Sequence, residues 1–125
     1  MKVRGGPPAA SLTEALSEEA RRLVGAVAAV AREQGVAAYV VGGAVRDWLL
    51  RRHPIHEVDV VVVGDAEALA AEVARRVGGR LVAFERFGTA RVAAFGTYVD
   101  VAQARTEWYP APGALPVPET APSID

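Results

Sequence analysis

VVGGAVRDWLLRRHPIHEVDVVVV, residues 40–63, is the stretch on which the reading of this chain turns. An apolar run ends at Gly42-Gly43, an Arg-Asp pair follows, and Glu57 and Asp59 stand at the mouth of a second, valine-rich run. Such runs make buried strands, and a carboxylate beside one is costly to desolvate unless something compensates it. Side chains two apart on a strand share a face. On a strand over 57–63, Glu57 and Asp59 therefore project together, with Cα atoms roughly 6–7 Å apart, while Val58 and Val60 face the other way. Both carboxylates can then converge on one cation. Hard oxygen donors suit Mg²⁺, which takes few carboxylates and completes its shell with water and phosphate oxygens. Taken alone, the pair has a second reading: a strand that starts at the surface with two solvated acids.

The glycines bear on that choice. Gly42 and Gly43 end a strand predicted over 36–41 and open a helix predicted over 44–52, with Val45, Trp48 and Leu49 inward and Pro54 closing it. Lacking Cβ atoms, they let backbone N–H groups approach a bound anion closely. Arg46, on the first turn, is a charged fork suited to phosphate oxygens. A plain turn with Arg46 and Asp47 exposed is the alternative. There is no third glycine for a dinucleotide fingerprint and no Gly-Lys-Ser/Thr for a P-loop. A phosphate cradle followed closely by a carboxylate pair is rarer than either part, and together they describe a site for a metal-bound nucleoside triphosphate.

Outward from this stretch, a helix is expected from about Ser11 to Gly35, capped by Ser11 or Thr13, with Leu12, Leu16, Leu23, Val27 and Val30 in one apolar stripe. Asp65 caps a helix over 66–77 that stops at Gly78-Gly79. Three short strands follow, RLVAFE, TARVAAF and TYVDVAQA, the last two separated by a turn at Gly96-Thr97. Asp100 lies on the last of these with Tyr98 and Ala102 on its face: a third carboxylate for the site, or a solvated or capping acid. His53 and His56 read as a solvated loop, Trp48 and Phe95 as core. Five of the eight prolines fall after Tyr109, so 109–125 reads as an extended connector, and 1–10 as a flexible lead-in. Two βα units before an antiparallel meander predict an α+β domain. Its sheet is mixed, largely antiparallel and of about five strands, with helices mainly on one side.

The 125 residues suffice for one domain. A net charge of −1 argues against a basic nucleic-acid surface over the whole chain. The absence of cysteine excludes disulfides and thiolate metal sites and favours the cytoplasm. No run reaches transmembrane length, so no membrane partner is expected.

GGAVRDWLL, the acid–apolar–acid triplet, VVVGDA, RFGTARV, VDVAQART and EWYPAPGALPVPETAPSID, in that order, resemble the head of the class II tRNA nucleotidyltransferases (CCA-adding enzymes) and bacterial poly(A) polymerases. The resemblance implies a DNA polymerase β-like nucleotidyltransferase fold and template-independent addition of CMP or AMP to an RNA 3′ end, tRNA above all. It implies ATP and CTP as substrates, two Mg²⁺ ions on Glu57 and Asp59, and the triphosphate on Gly42, Gly43 and Arg46. Arg105 and Glu107 match the family pattern, or pair with each other to brace the connector. Trp108 and Tyr109 are candidates for docking the tail or a further domain. Two departures stand out. The family triplet is Asp-x-Asp, whereas this chain has Glu57-Val58-Asp59, one carboxylate set a methylene further out. Members also continue into an Arg-Arg-Asp motif and helical RNA-binding domains, so the chain is expected to be a truncated head, weakly active or inactive alone. A non-catalytic nucleotide-binding domain with a decayed metal site, or a poly(A) polymerase, is the alternative. Base choice and oligomeric state are not encoded in these motifs.

Overall fold

Local capping fixes the helices. The computed structural model describes residues 11–83, 88–104 and 114–118. Helix α1 (Leu12–Ala15) begins with a reciprocal capping box between Ser11 and Glu14. Helix α2 (Glu18–Gln34) starts anew at Ser17, whose hydroxyl accepts from the Ala20 N–H, and ends at Gly35 in the left-handed conformation. The single helix expected over 11–35 is thus two. The break has a tertiary cause: Leu16 is extended and bridges Ile55, the Ser17 N–H donates to the Ile55 carbonyl, and the Ile55 N–H donates to the Ala15 carbonyl. The expected stripe is buried all the same.

Strand β1 (Ala37–Val41) leads through Gly42 into α3 (Gly43–Leu49), which is shorter than expected. Pro54 does not close it; Arg51 does, in the left-handed region at φ 56°. Strand β2 (Val58–Val63) starts one residue later than predicted, leaving Glu57 just outside it. Helix α4 (Ala66–Val77) runs from its Asp65 cap to left-handed Gly78, as the sequence indicates. Strands β3 (Arg80–Ala83), β4 (Thr89–Ala94) and β5 (Thr97–Gln103) form the meander. The turn joining β4 to β5 is Phe95-Gly96, both at positive φ, rather than Gly96-Thr97. Phe95 consequently sits at the core's margin, half-buried under Arg22, instead of inside it; Trp48 is likewise half-buried.

The described strands make a six-stranded sheet in the order β3-β4-β5-β2-β1-β6, where β6 (Leu115–Pro116) adds a short edge pairing to β1 within the expected connector. Among the described strands only β2 and β5 pair in parallel. Val58, Val60, Val62, Val92, Val99 and Val101 point to one face and are buried, where α2 and α4 cover them. The fold is α+β, with a mixed sheet and its long helices on one side. The opposite face carries Asp59, Arg91 and Asp100. Phe84, Glu85, Arg86, Phe87, Arg105, Glu107, Trp108 and Tyr109, and most of the predicted lead-in and connector, lie outside the described residues. Among the described residues no helix is long and apolar enough to cross a membrane.

Candidate active site

Three elements meet on the open face of the sheet. The β1–α3 bend brings Gly42 and Gly43, α3 brings Arg46, and the head of β2 brings Asp59 with Glu57 just before it. Gly43, Arg46, Glu57, Asp59, Tyr98 and Asp100 line one hollow of about 490 Å³. Gly42 stands at its edge, with φ 74° and ψ −138°, a combination that only glycine adopts readily. A Cβ built on it would lie 3.4 Å from Asp59 Oδ2. The bend and the carboxylate are therefore in contact range of each other. Arg46 is exposed and reaches Asp47 Oδ1 through Nε at 3.4 Å, a long contact. His56 also lines the hollow, and its carbonyl accepts from the Thr97 hydroxyl at 2.6 Å; His53 is exposed.

Strand register places the remaining polar groups. Asp59 lies opposite Asp100 in the β2–β5 pair, and Asp100 lies opposite Arg91 in the β4–β5 pair. Arg91 holds Asp100 with two bonds, Nε to Oδ1 at 2.7 Å and Nη2 to Oδ2 at 3.1 Å. Its guanidinium carbon also stands 3.8 Å from the centre of the Tyr98 ring. Asp100 is thus ion-paired and partly sheltered rather than a free surface acid or a cap. Tyr98 was placed beside Asp100 from sequence but given no role, and Arg91 escaped, although the signal was available: a two-residue turn at Phe95-Gly96 puts Arg91 opposite Asp100.

The electrostatics are those of crowded acids. Asp59 is exposed at the surface, yet protein atoms enclosing its remaining sides raise its carboxyl above the ordinary range, and the charges of Asp100 and Glu57 raise it further against a smaller opposing pull from Arg91. Tyr98 is raised above its ordinary value of 10 chiefly by a hydrogen bond to Glu57, with burial and the Glu57 charge adding to it. A divalent cation would relieve this repulsion, and an all-oxygen donor set suits Mg²⁺. Among the described residues no three His, Cys, Asp or Glu side chains converge as a metal site; a cation in this hollow would have Glu57 and Asp59 as candidate donors, with water or substrate oxygens completing the shell.

The sequence pattern of the poly A polymerase head domain family matches residues 38–121. The chain belongs to that family. An A-adding tRNA nucleotidyltransferase of Aquifex aeolicus is 48% identical over 84 residues, which cover 67% of this chain and 10% of that protein. A CC-adding tRNA nucleotidyltransferase of Geobacter sulfurreducens is 45% identical over 67 residues, 53% of this chain and 15% of that protein. A solved tRNA nucleotidyltransferase, complexed with a primer tRNA and an incoming ATP analog, is 43% identical with a TM-score of 0.58 over 65% of this chain and 23% of its own. This poly A polymerase head domain therefore spans a small fraction of the relatives it matches. Its mixed sheet, with helices packed on one face, is the fold of their nucleotidyltransferase heads.

Proposed function

We propose that this chain is the catalytic head of a template-independent RNA nucleotidyltransferase, acting in the cytoplasm. It transfers AMP or CMP from a nucleoside triphosphate to an RNA 3′ end, in the first place that of a tRNA. The single observation that carries the reading is the approach of the Gly42 bend to Asp59 in a hollow that Arg46 and Glu57 also line. A glycine bend and a cationic fork suit phosphate oxygens, and the acids beside them suit the metal that accompanies a triphosphate. The A-adding and CC-adding relatives support the reaction class, and the tRNA-bound neighbour supports the partner.

In this mechanism Gly42 and Gly43 admit the triphosphate close to the backbone, and Arg46 binds its oxygens. Glu57 and Asp59 would hold the two Mg²⁺ ions, whose charge, when bound, would make the RNA 3′-hydroxyl a better nucleophile and offset charge on the α-phosphate and the leaving pyrophosphate. The sheet fixes Asp59 by burying Val58 and Val60 on either side of it, so the carboxylate is held before substrate arrives. In the full-length protein, Asp59→Ala is expected to abolish incorporation of labelled nucleotide into RNA; unchanged turnover would exclude the metal role.

A second reading, nucleotide binding without transfer, rests on Glu57 standing where the family has aspartate. It requires binding of ATP or CTP that does not depend on Mg²⁺, no incorporation, and a metal dependence that Glu57→Asp strengthens.

A further inference from the structure

The row across the open face holds two groups that the proposed chemistry does not use. From β2 through β5 to β4 it reads Asp59, Asp100, Arg91. We infer that Arg91 is a built-in counter-cation for Asp100, so that this head offers divalent ions only Glu57 and Asp59 and keeps the third carboxylate out of the ligand set. The inference rests on the metal reading above and makes Arg91 a positioning residue.

Four observations support it. Both Asp100 oxygens are engaged by the guanidinium, at 2.7 and 3.1 Å, so a metal ion would have to displace a bidentate fork. The pair is partly sheltered, with side-chain exposures of 36% for Arg91 and 26% for Asp100, and water screens it less than a rim pair. The Tyr98 ring beneath the guanidinium holds it from the other side. No three acids or histidines converge for a metal among the described residues, although Asp100 is the direct neighbour of Asp59. The charge balance gives the arrangement a purpose. Three bare carboxylates facing an incoming triphosphate would repel it. With Arg91 in place, and Arg46 offset by Asp47, the walls carry the charge of two acids, matching one divalent ion in the resting head.

The test is Mn²⁺ binding to the 125-residue chain without nucleotide, followed by electron paramagnetic resonance or calorimetry. Arg91→Met uncovers Asp100 and should tighten Mn²⁺ binding by about tenfold, as expected for removing one nearby positive charge. Arg91→Gln serves equally where the methionine variant does not fold. Arg91→Lys, which keeps the charge, should tighten binding by less than the neutral variants do. The double variant Arg91→Met with Asp100→Asn removes both members of the pair and should bind within about threefold of the parent. Failure of the neutral Arg91 variants to tighten binding, or a double variant about tenfold weaker than the parent, would overturn the inference. Asp59→Asn separates this from the underlying reading: it should abolish binding in every background. Binding that survives Asp59→Asn would overturn the metal reading and this inference with it.

Discussion

Asp59 on β2 and Asp100 on β5 sit directly across from each other in the sheet's parallel pair, two carboxylates on adjoining strands with Arg91 beyond the second. The arrangement is set by register, and it adds to the cost of partly burying Asp59 a repulsion that Arg91 offsets only in part. Its carboxyl lies above the ordinary range, so the native state holds that proton more tightly than the unfolded chain. Stability contributed by the neutral form is present below the unfolded value of about 3.9 and is lost as pH rises through the higher folded value. At pH 7 ionised Asp59 is therefore a net cost, reduced by its exposure to water. Asp59→Asn is expected to raise the melting temperature in chelator by roughly 2 °C at neutral pH. The gain should disappear below about pH 4. Added Mg²⁺ should stabilise the parent and not the variant, as mass action requires. Thermal unfolding with and without chelator measures all three.

Gly42 and Gly35 separate backbone strain from crowding at the site. Both have positive φ, 74° and 70°, but a Cβ at Gly35 meets nothing within 4 Å, whereas one at Gly42 meets Asp59 Oδ2. Gly35→Ala should cost about 1 kcal/mol from conformation alone. Gly42→Ala should cost about 2 kcal/mol, because its ψ of −138° lies further from what alanine tolerates. Only Gly42→Ala should weaken ATP or CTP binding. Urea unfolding and nucleotide titration of both variants give the comparison.

Arg51 offers the opposite case. It is exposed and left-handed at φ 56°, with its N–H donating to the Trp48 carbonyl at 3.0 Å. An L side chain pays a conformational penalty there that glycine does not, partly offset by the freedom glycine gives the unfolded chain. Arg51→Gly is expected to stabilise the protein by roughly 0.5 kcal/mol in urea unfolding, with no change in Mn²⁺ affinity. A destabilised variant would mean that the Arg51 side chain makes up the penalty through its own contacts.

Where sequence and structure agree, local chemistry suffices. Helix α4 is bounded by Asp65 and Gly78, and the strand period sets Val58 and Val60 of β2 on the face away from Asp59, because caps and strand period act over a few residues. The expected hollow was legible for the same reason: Gly42, Arg46, Glu57 and Asp59 lie within one short stretch. What escaped depends on distant partners. The apolar period runs unbroken through Leu16 and Ser17, and only pairing with Ile55 splits α1 from α2. The Arg91–Asp100 pair hinges on a single residue. A turn at Gly96-Thr97 would set Arg91 opposite Ala102, while the actual turn at Phe95-Gly96 sets it opposite Asp100. Because one step of register exchanges every cross-strand partner, a boundary error too small to disturb the fold concealed the charge balance of the site.

Glu57 and Tyr98 provide the last prediction, and it concerns the extra methylene by which this chain departs from Asp-x-Asp. The phenol of Tyr98 is raised because it donates a hydrogen bond to the Glu57 carboxylate and because that negative charge opposes a second one on the ring. Removing the charge should lower the Tyr98 value toward its ordinary 10; Glu57→Gln is expected to do this in chelator, leaving the smaller part that burial and Asp100 contribute. Glu57→Asp should do so in large part, since the shorter side chain withdraws from the phenol. Mg²⁺ added to the parent should act in the same direction as Glu57→Gln, because a cation on Glu57 offsets the same charge. Ultraviolet absorbance titration isolates Tyr98 by difference from Tyr98→Phe, leaving Tyr39 and Tyr109 common to both. If Glu57→Asp titrates like the parent, the longer side chain is not what brings Glu57 to Tyr98, and the substitution within the triplet must be accommodated elsewhere in the hollow.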